Sequence, residues 1–313
     1  MKTFMKVFFI GFLCFTIVMG AGVWAFTKFY NPPEEIVVQE PKEEVKEKEV
    51  PKEDPKSELE LLIEKSDRIN FLLLGMEGPR TDTIMFASFD PDTNNIDLVS
   101  VPRDTYYERN KNHSPDKKKI NAVHGDEGVT GTKTAISKVL CNVPIDYYIK
   151  VRYEGVESVV DSLGGVKVTI PIDMKYDDPY DKPPLHIDLR KGTQVLDGKK
   201  AIQFLRFRKG NDGKGYPNGD LGRTKAQQQF IKAALRRALG FRLPVVANTV
   251  MKYIDTDLSV VDGVKLATDA IGMNSDSLKT YSMPGDTVMR NRLSYFIHDK
   301  SGAEDIIKEI YSR

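Results

Sequence analysis

The sequence predicts an α/β fold, a three-layer sandwich with a mixed central sheet flanked by helices, preceded by an N-terminal transmembrane helix. Three observations carry this. Short apolar runs bounded by Gly, Pro and Asx-rich breaks recur along the chain and read as strands. Helical stretches are interspersed with them over the whole length. Residues 7–26, VFFIGFLCFTIVMGAGVWAF, carry no charge, and about 20 such residues span a hydrocarbon core at about 1.5 Å each.

The elements follow in chain order. Lys2 and Lys6 precede the apolar run, and Lys28, then Glu34 and Glu35, follow it. This asymmetry favours a cytoplasmic N-terminus and an outer C-terminal domain. Trp24, Phe29 and Tyr30 then sit at the outer interface. A cleaved signal peptide has a shorter apolar region and a small-residue cleavage site, which WAFTKFY does not supply. Residues 1–30 are therefore a cytoplasmic stub and anchor, 31–66 an extracytoplasmic linker rich in Pro, Glu and Lys, and 67–313 the folded domain, with its core at 68–240. The linker lacks the apolar surface to offset its ordering entropy.

Ile69–Leu74 is a buried strand ending at Gly75. Thr83–Phe89 and Ile96–Val101 are two more, joined by the hairpin-like DPDTNN. Thr132–Leu140 is a helix, Tyr147–Val151 a strand, and Tyr153–Leu163 a helix closed by Gly164-Gly165. Val166–Ile170 is a strand stopped by Pro171. Lys199–Phe207 begins helical and ends extended; Leu221–Leu239 is the longest helix, with Asp220 as its N-cap. Pro244–Tyr253 and Ala303–Tyr311 complete the helices.

Lys and Arg number 46 against 45 Asp and Glu. Such a balance argues against nucleic-acid binding through bulk charge, so any anion site is a local cluster. Cys14 lies in the apolar run and Cys141 far downstream, which excludes a disulfide between them. The stretch 125–134 lacks the Gly-Lys-Ser/Thr order of a phosphate loop, no Gly-x-Ser-x-Gly elbow occurs, and the four histidines have no zinc-ligand spacing.

Charged residues gather at strand ends, where α/β sheets place their sites. GMEGPRTDT (75–83) carries Glu77 and Asp82; VPRDT (101–105) carries Arg103 and Asp104; KKKIN (117–121) carries Lys119 and Asn121. The fourth cluster runs from RFR (206–208) to GDLGRTKAQ (219–227). In an extended segment Arg206 and Arg208 point the same way. Arg223 and Gln227, four apart, share a helix face near its positive end. Guanidinium forks, an amide and a helix N-terminus together suit phosphate oxygens. Asp82 with Glu77 or Asp104 suits a divalent ion, Mg²⁺ or Mn²⁺, which takes one or two carboxylates and leaves its other positions to phosphate and water.

These motifs, in this order, resemble the LytR–CpsA–Psr family of cell-wall ligases. FLLLG with its acidic loop, RTDTIM, LVSVPRDTYY, KINAVHG, Gly164-Gly165, RFRKG, GDLGRTKAQQ and the later MPGD (283–286) carry the resemblance. It implies a phosphotransferase that moves a glycopolymer (teichoic acid, capsule or similar) from undecaprenyl pyrophosphate to peptidoglycan, releasing undecaprenyl phosphate. It implies Arg103 and Asp82 as catalytic residues, and Arg206, Arg208, Arg223, Gln227 and Lys119 on the pyrophosphate. It also implies Asp82 and Glu77 on Mg²⁺ (or Mn²⁺), with Asp104, Asn121 and Asp220 as further candidates. The setting implied is the cell membrane of a Gram-positive-type envelope, with lipid, glycan donor and peptidoglycan as partners and no nucleic acid. The sequence departs from the family's usual Gly-x-Asp at Gly75-Met76-Glu77. Two competing readings are a non-catalytic module binding polyprenyl pyrophosphate or wall polymer, and a membrane-linked transcriptional regulator. An outward-facing, charge-balanced domain argues against the regulator.

Overall fold

The structure, a computed structural model, describes residues 56–109, 113–181, 184–217, 219–238, 250–269, 277–290 and 292–313. The expected anchor and the linker through residue 55 lie outside the described residues. Among the described residues no helix is long and apolar enough to cross a membrane.

In chain order the elements are α1 (Glu58–Glu64), β1 (Ile69–Glu77), β2 (Arg80–Asp90), β3 (Asn95–Ser100), α2 (Val123–Val139), β4 (Tyr147–Val151), α3 (Tyr153–Ser162), β5 (Val166–Ile170) and β6 (Met174–Asp178). Then follow β7 (Leu185–Leu189), β8 (Gly192–Leu196), α4 (Gly198–Arg206), α5 (Asp220–Ala238), β9 (Ile254–Thr256), α6 (Val260–Asp269), β10 (Leu278–Ser282), β11 (Gly285–Arg290), β12 (Leu293–His298) and α7 (Lys300–Tyr311).

A six-stranded sheet runs in the order β10-β3-β2-β1-β4-β9. It is mixed: β10 with β3 and β1 with β4 are parallel, and the other pairs are antiparallel. Side chains alternate between its faces, as the pleat requires. Leu72, Leu74, Ile84, Phe86 and Val99 pack on one face with Ile136 of α2 and Ile307 of α7. Phe71, Leu73, Ala87 and Leu98 pack on the other with Ile231 and Leu235 of α5. Helices thus cover both faces of the sheet.

A second core forms beside the sheet. There β5 pairs with β8 around the inner hairpin β6–β7, and Val166, Ile187 and Leu196 pack with Phe204, Phe207 and Phe230 of α4, its C-cap and α5. The helix α5 belongs to both cores, with Phe230 packed in the second and Ile231 against the sheet.

Several expectations change. The linker was expected to reach residue 66, but α1 lies within that stretch. The Ser57 hydroxyl accepts from the Glu60 N–H at 3.2 Å, the Glu60 carboxylate accepts from the Ser57 N–H at 2.7 Å, and Leu59 is buried in the main core. A capping box followed by apolar residues at helical spacing starts the folded domain there. The helix expected from Thr132 starts at Val123, with a break at Gly128 (φ +64°, ψ −159°), so the stretch resembling a phosphate loop is largely helical. Arg206 was expected in an extended segment; it is the last residue of α4, and Phe207 after it is extended (φ −62°, ψ 130°). Asp220 was expected to cap α5 and instead opens it as a helical residue. Residues 250–253 are helical, and the rest of the helix expected from Pro244 lies outside the described residues.

Candidate active site

The parallel strands β1 and β4 end side by side, Gly75 opposite Val151. Ligand sites of α/β sheets lie beyond such carboxyl ends. A cleft of about 400 Å³ opens here, between the sheet and the second core.

Its acidic wall comes from β1 and β2. The β1–β2 register shifts near the turn that joins them: Gly75 pairs with Thr83 and Met76 with Thr81, which leaves Asp82 as an extra, unmatched residue. A bulge of this kind re-aims one side chain. Asp82 lines the cleft together with Glu77, from the last position of β1.

The basic wall comes from α4 and α5. Phe207, 1% exposed, anchors the chain in the second core as α4 ends, and Arg206 and Arg208 on either side of it both line the cleft. Arg223 and Gln227, one turn apart on α5, line it as well. The Gln227 amide also donates to the Leu205 carbonyl at 3.3 Å, tying α5 to the end of α4. The arginine pairing that an extended segment would give is therefore delivered by a helix end and the extended Phe207 that follows it.

Ion pairs connect the two walls. Arg103 donates to Asp82 at 2.7 Å from outside the lining residues. The Arg206 guanidinium donates to Glu77 at 3.0 Å, lies 2.9 Å from Asp181, and stacks 4.9 Å from the centre of the Tyr153 ring. Glu77 is pushed up to about 7 by its hydrogen bond with Asp82, then by burial and the Asp82 charge, against the pull of Arg206. Burial acts to raise Asp82, but the hydrogen bond from Glu77 and the charges of Arg103 and Arg223 prevail and hold it below the usual range. The two carboxyls thus share a proton, as like charges at close range do. Burial and the nearby carboxylates push the Tyr153 hydroxyl up to about 12.

The remaining candidates stand elsewhere. Lys119 donates to Asp104 at 2.9 Å, and neither lines the cleft. Asn121 is buried, and its backbone N–H donates to the Arg103 carbonyl at 3.2 Å, while Ile120 N–H donates to Thr105 at 2.8 Å. The KIN turn therefore braces the loop that carries Arg103. The side chain of Asp220 lies outside what is described. His124 sets its ring 3.4 Å from the Pro79 carbonyl and does not line the cleft.

The cleft also holds residues that sequence reasoning did not single out: Tyr153, Tyr176, Asp178, Asp181 and Lys209. Lys209 directly follows RFR, and the acidic stretch DDPYD (177–181) was a visible signal. Tyr176, Asp178 and Asp181 arrive on the β6–β7 hairpin, whose fold-back against α4 is a long-range event.

The LytR_cpsA_psr family profile matches residues 35–311. The polyisoprenyl-teichoic acid–peptidoglycan teichoic acid transferase TagU of Bacillus subtilis (strain 168) is 29% identical over 303 residues, covering 94% of this chain and 91% of its own length. Among solved structures, that of B. subtilis TagV aligns with a TM-score of 0.66 at 25% identity, covering 79% of this chain and 97% of its own. TagT bound to LI-WTA aligns with a TM-score of 0.62 at 24% identity, covering 80% and 91%.

Proposed function

The chain belongs to the LytR_cpsA_psr family, and from that premise we propose that it is a phosphotransferase attaching an undecaprenyl-pyrophosphate-linked glycopolymer to peptidoglycan. One observation carries the reading. Arg206, Arg208, Arg223 and Gln227 converge in one cleft on a Glu77–Asp82 carboxyl pair backed by Arg103. Guanidinium groups facing a diphosphate are suited to spreading the charge of a transferring phosphoryl group.

The step is a substitution at the phosphorus joined to the polymer. The acceptor hydroxyl oxygen forms the new P–O bond. The bond from that phosphorus to the bridging oxygen breaks, and undecaprenyl phosphate leaves with the bridging oxygen. The hydroxyl proton passes to solvent or a nearby base. Arg206, Arg208 and Arg223 bind the non-bridging oxygens, and Gln227 fixes the end of α4 that presents Arg206 and Arg208. Arg103 holds Asp82 in the orientation that the bulge gives it.

A divalent cation fits this donor set. Glu77 and Asp82 stand together on one wall of the cleft, and Mg²⁺ needs few protein carboxylates. Glu77 and Asp82 would hold it, and when bound it would neutralise phosphate charge as a Lewis acid. The donor's lipid chain would run between the central sheet and the helices that cover it. The uncharged run at residues 7–26 would anchor the chain in the membrane, with residues 31 onward outside the cytoplasm.

The test is turnover by the purified full-length chain. Given an undecaprenyl-pyrophosphate glycan, a peptidoglycan acceptor and Mg²⁺, it should release undecaprenyl phosphate, and chelation should stop the release. An Asp82→Ala variant that binds the donor but does not transfer it supports catalysis. A chain that binds donor and never turns it over is a binding module instead.

A further inference from the structure

The reaction cleft has a neighbour. A second cavity of about 430 Å³ is lined by Gly78, Arg152, Glu154, Glu157 and Ile202. It shares Glu77, Tyr153, Asp181 and Arg206 with the cleft. These four form one connected unit, because Arg206 binds both carboxylates and lies on the Tyr153 ring. The unit is a wall with a chamber on each side.

The chambers differ in charge. The first sets Arg206, Arg208, Lys209 and Arg223 against its carboxylates, with Arg103 bonded behind Asp82. The second adds two carboxylates, Glu154 and Glu157, and only one further cation, Arg152. Its carboxylates outnumber its guanidinium groups, so it disfavours a phosphate-rich polymer. What remains is a polar pocket with a tyrosine edge, two apolar side chains, Met76 and Ile202, and hydrogen-bond acceptors. That lining suits a neutral ligand rich in hydroxyl and amide N–H groups, with an apolar face for Ile202 and Tyr153.

In-line phosphoryl transfer needs the nucleophile on the side of the phosphorus opposite the leaving oxygen. Arg206 belongs to both chambers, so a diphosphate held on it would lie against the shared wall, with the second chamber on the wall's other side.

We propose that the second cavity is the acceptor site, binding an N-acetylated sugar unit of the glycan strand so that its hydroxyl reaches the phosphorus across the Glu77–Arg206 wall. This rests on the transferase reading for its chemistry, but glycan binding is measurable without turnover. Glu154, Glu157 and Ile202 set acceptor preference, and the donor does not touch them.

The experiment uses the full-length chain in nanodiscs. Ile202→Trp fills the chamber, and Glu157→Ala removes an acceptor of hydrogen bonds and enlarges the chamber instead of filling it. Binding of a soluble, uncross-linked peptidoglycan glycan oligomer is measured by calorimetry. Acceptor KM, donor KM and acceptor-independent release of undecaprenyl phosphate to water are measured alongside. Ile202→Trp should weaken oligomer binding and raise the acceptor KM by roughly tenfold or more. Glu157→Ala should act in the same direction. Donor KM and the release to water should stay within about twofold for both. An unchanged acceptor KM and oligomer affinity would overturn the proposal, as would a donor KM that rises in step. If the unmodified chain turns over no donor, the transferase reading fails; oligomer binding that Ile202→Trp abolishes would still support the glycan site.

Discussion

The shared proton of Glu77 and Asp82 makes stability depend on pH in a way one substitution removes. In the folded chain Glu77 holds its proton to about 7, against 4.5 when free. Between these values the folded chain keeps a proton that the unfolded chain has lost. The stability that Glu77 contributes is therefore complete below 4.5 and is lost as pH rises through about 7. The span corresponds to about 3 kcal/mol for a fully shielded group. The Glu77 side chain is 45% exposed, and solvent screening reduces the contribution to on the order of 1 kcal/mol. Asp82→Asn removes the carboxylate that raises Glu77 through its hydrogen bond and, after burial, its charge, so the loss between pH 5 and 8.5 should shrink. Urea unfolding across that range reads the slope, and carboxyl-carbon NMR reads Glu77 directly. At pH 8 added Mg²⁺ should stabilise the unmodified chain and not the variant, because a cation binding only the folded carboxyl pair shifts the equilibrium toward it. Equal slopes for the two chains, or a Glu77 that titrates near 4.5 in both, would refute the shared proton.

Other outcomes follow from the same geometry. Arg206→Ala and Arg223→Ala should each lower transfer by roughly 10²–10³ in kcat with unfolding midpoints little changed, since each removes a donor aimed at transition-state charge; single-turnover kinetics measures this. Arg68→Ala should destabilise the fold by about 3 kcal/mol, the lower end for a broken buried pair. It strands Asp97, whose side chain is 0% exposed and whose other partner is Arg313, and denaturant unfolding reads the loss. A reporter enzyme that is active only outside the cytoplasm, fused after Arg313, should be active if the positive residues before the apolar run set the topology.

Much of the fold was legible because its central strands are short, apolar and bounded by breaks. INFLLL, TIMFASF and YYIKV all lie in the sheet. Arg223 and Gln227 were legible because helical spacing is a local property. The β6–β7 hairpin was not: LHIDL and MKYDD alternate, but their exposed positions carry charge, and so the apolar signal is thin. With the hairpin went Tyr176, Asp178 and Asp181, which reach the cleft only through tertiary folding. Arg206 and Arg208 reached the expected place by an unexpected route. Spacing of two suggested a strand, whereas burial of Phe207 turns the chain at a helix end and sets both guanidiniums on the cleft. Asp104 follows Arg103 directly and Lys119 stands in the KIN stretch; folding pairs the two with each other at 2.9 Å, outside the residues that line the cleft, a pairing that spacing alone does not reveal.

In the proposed transfer the polymer-linked phosphate moves and the lipid-linked phosphate stays. A donor carrying ³²P only at the polymer-linked position, incubated with the full-length chain and a glycan acceptor, tests it directly. The label should appear in the acceptor as a phosphodiester, with undecaprenyl phosphate released unlabelled, and Arg206→Ala should suppress both. Label leaving with the lipid, or transfer untouched by Arg206→Ala, would contradict the account.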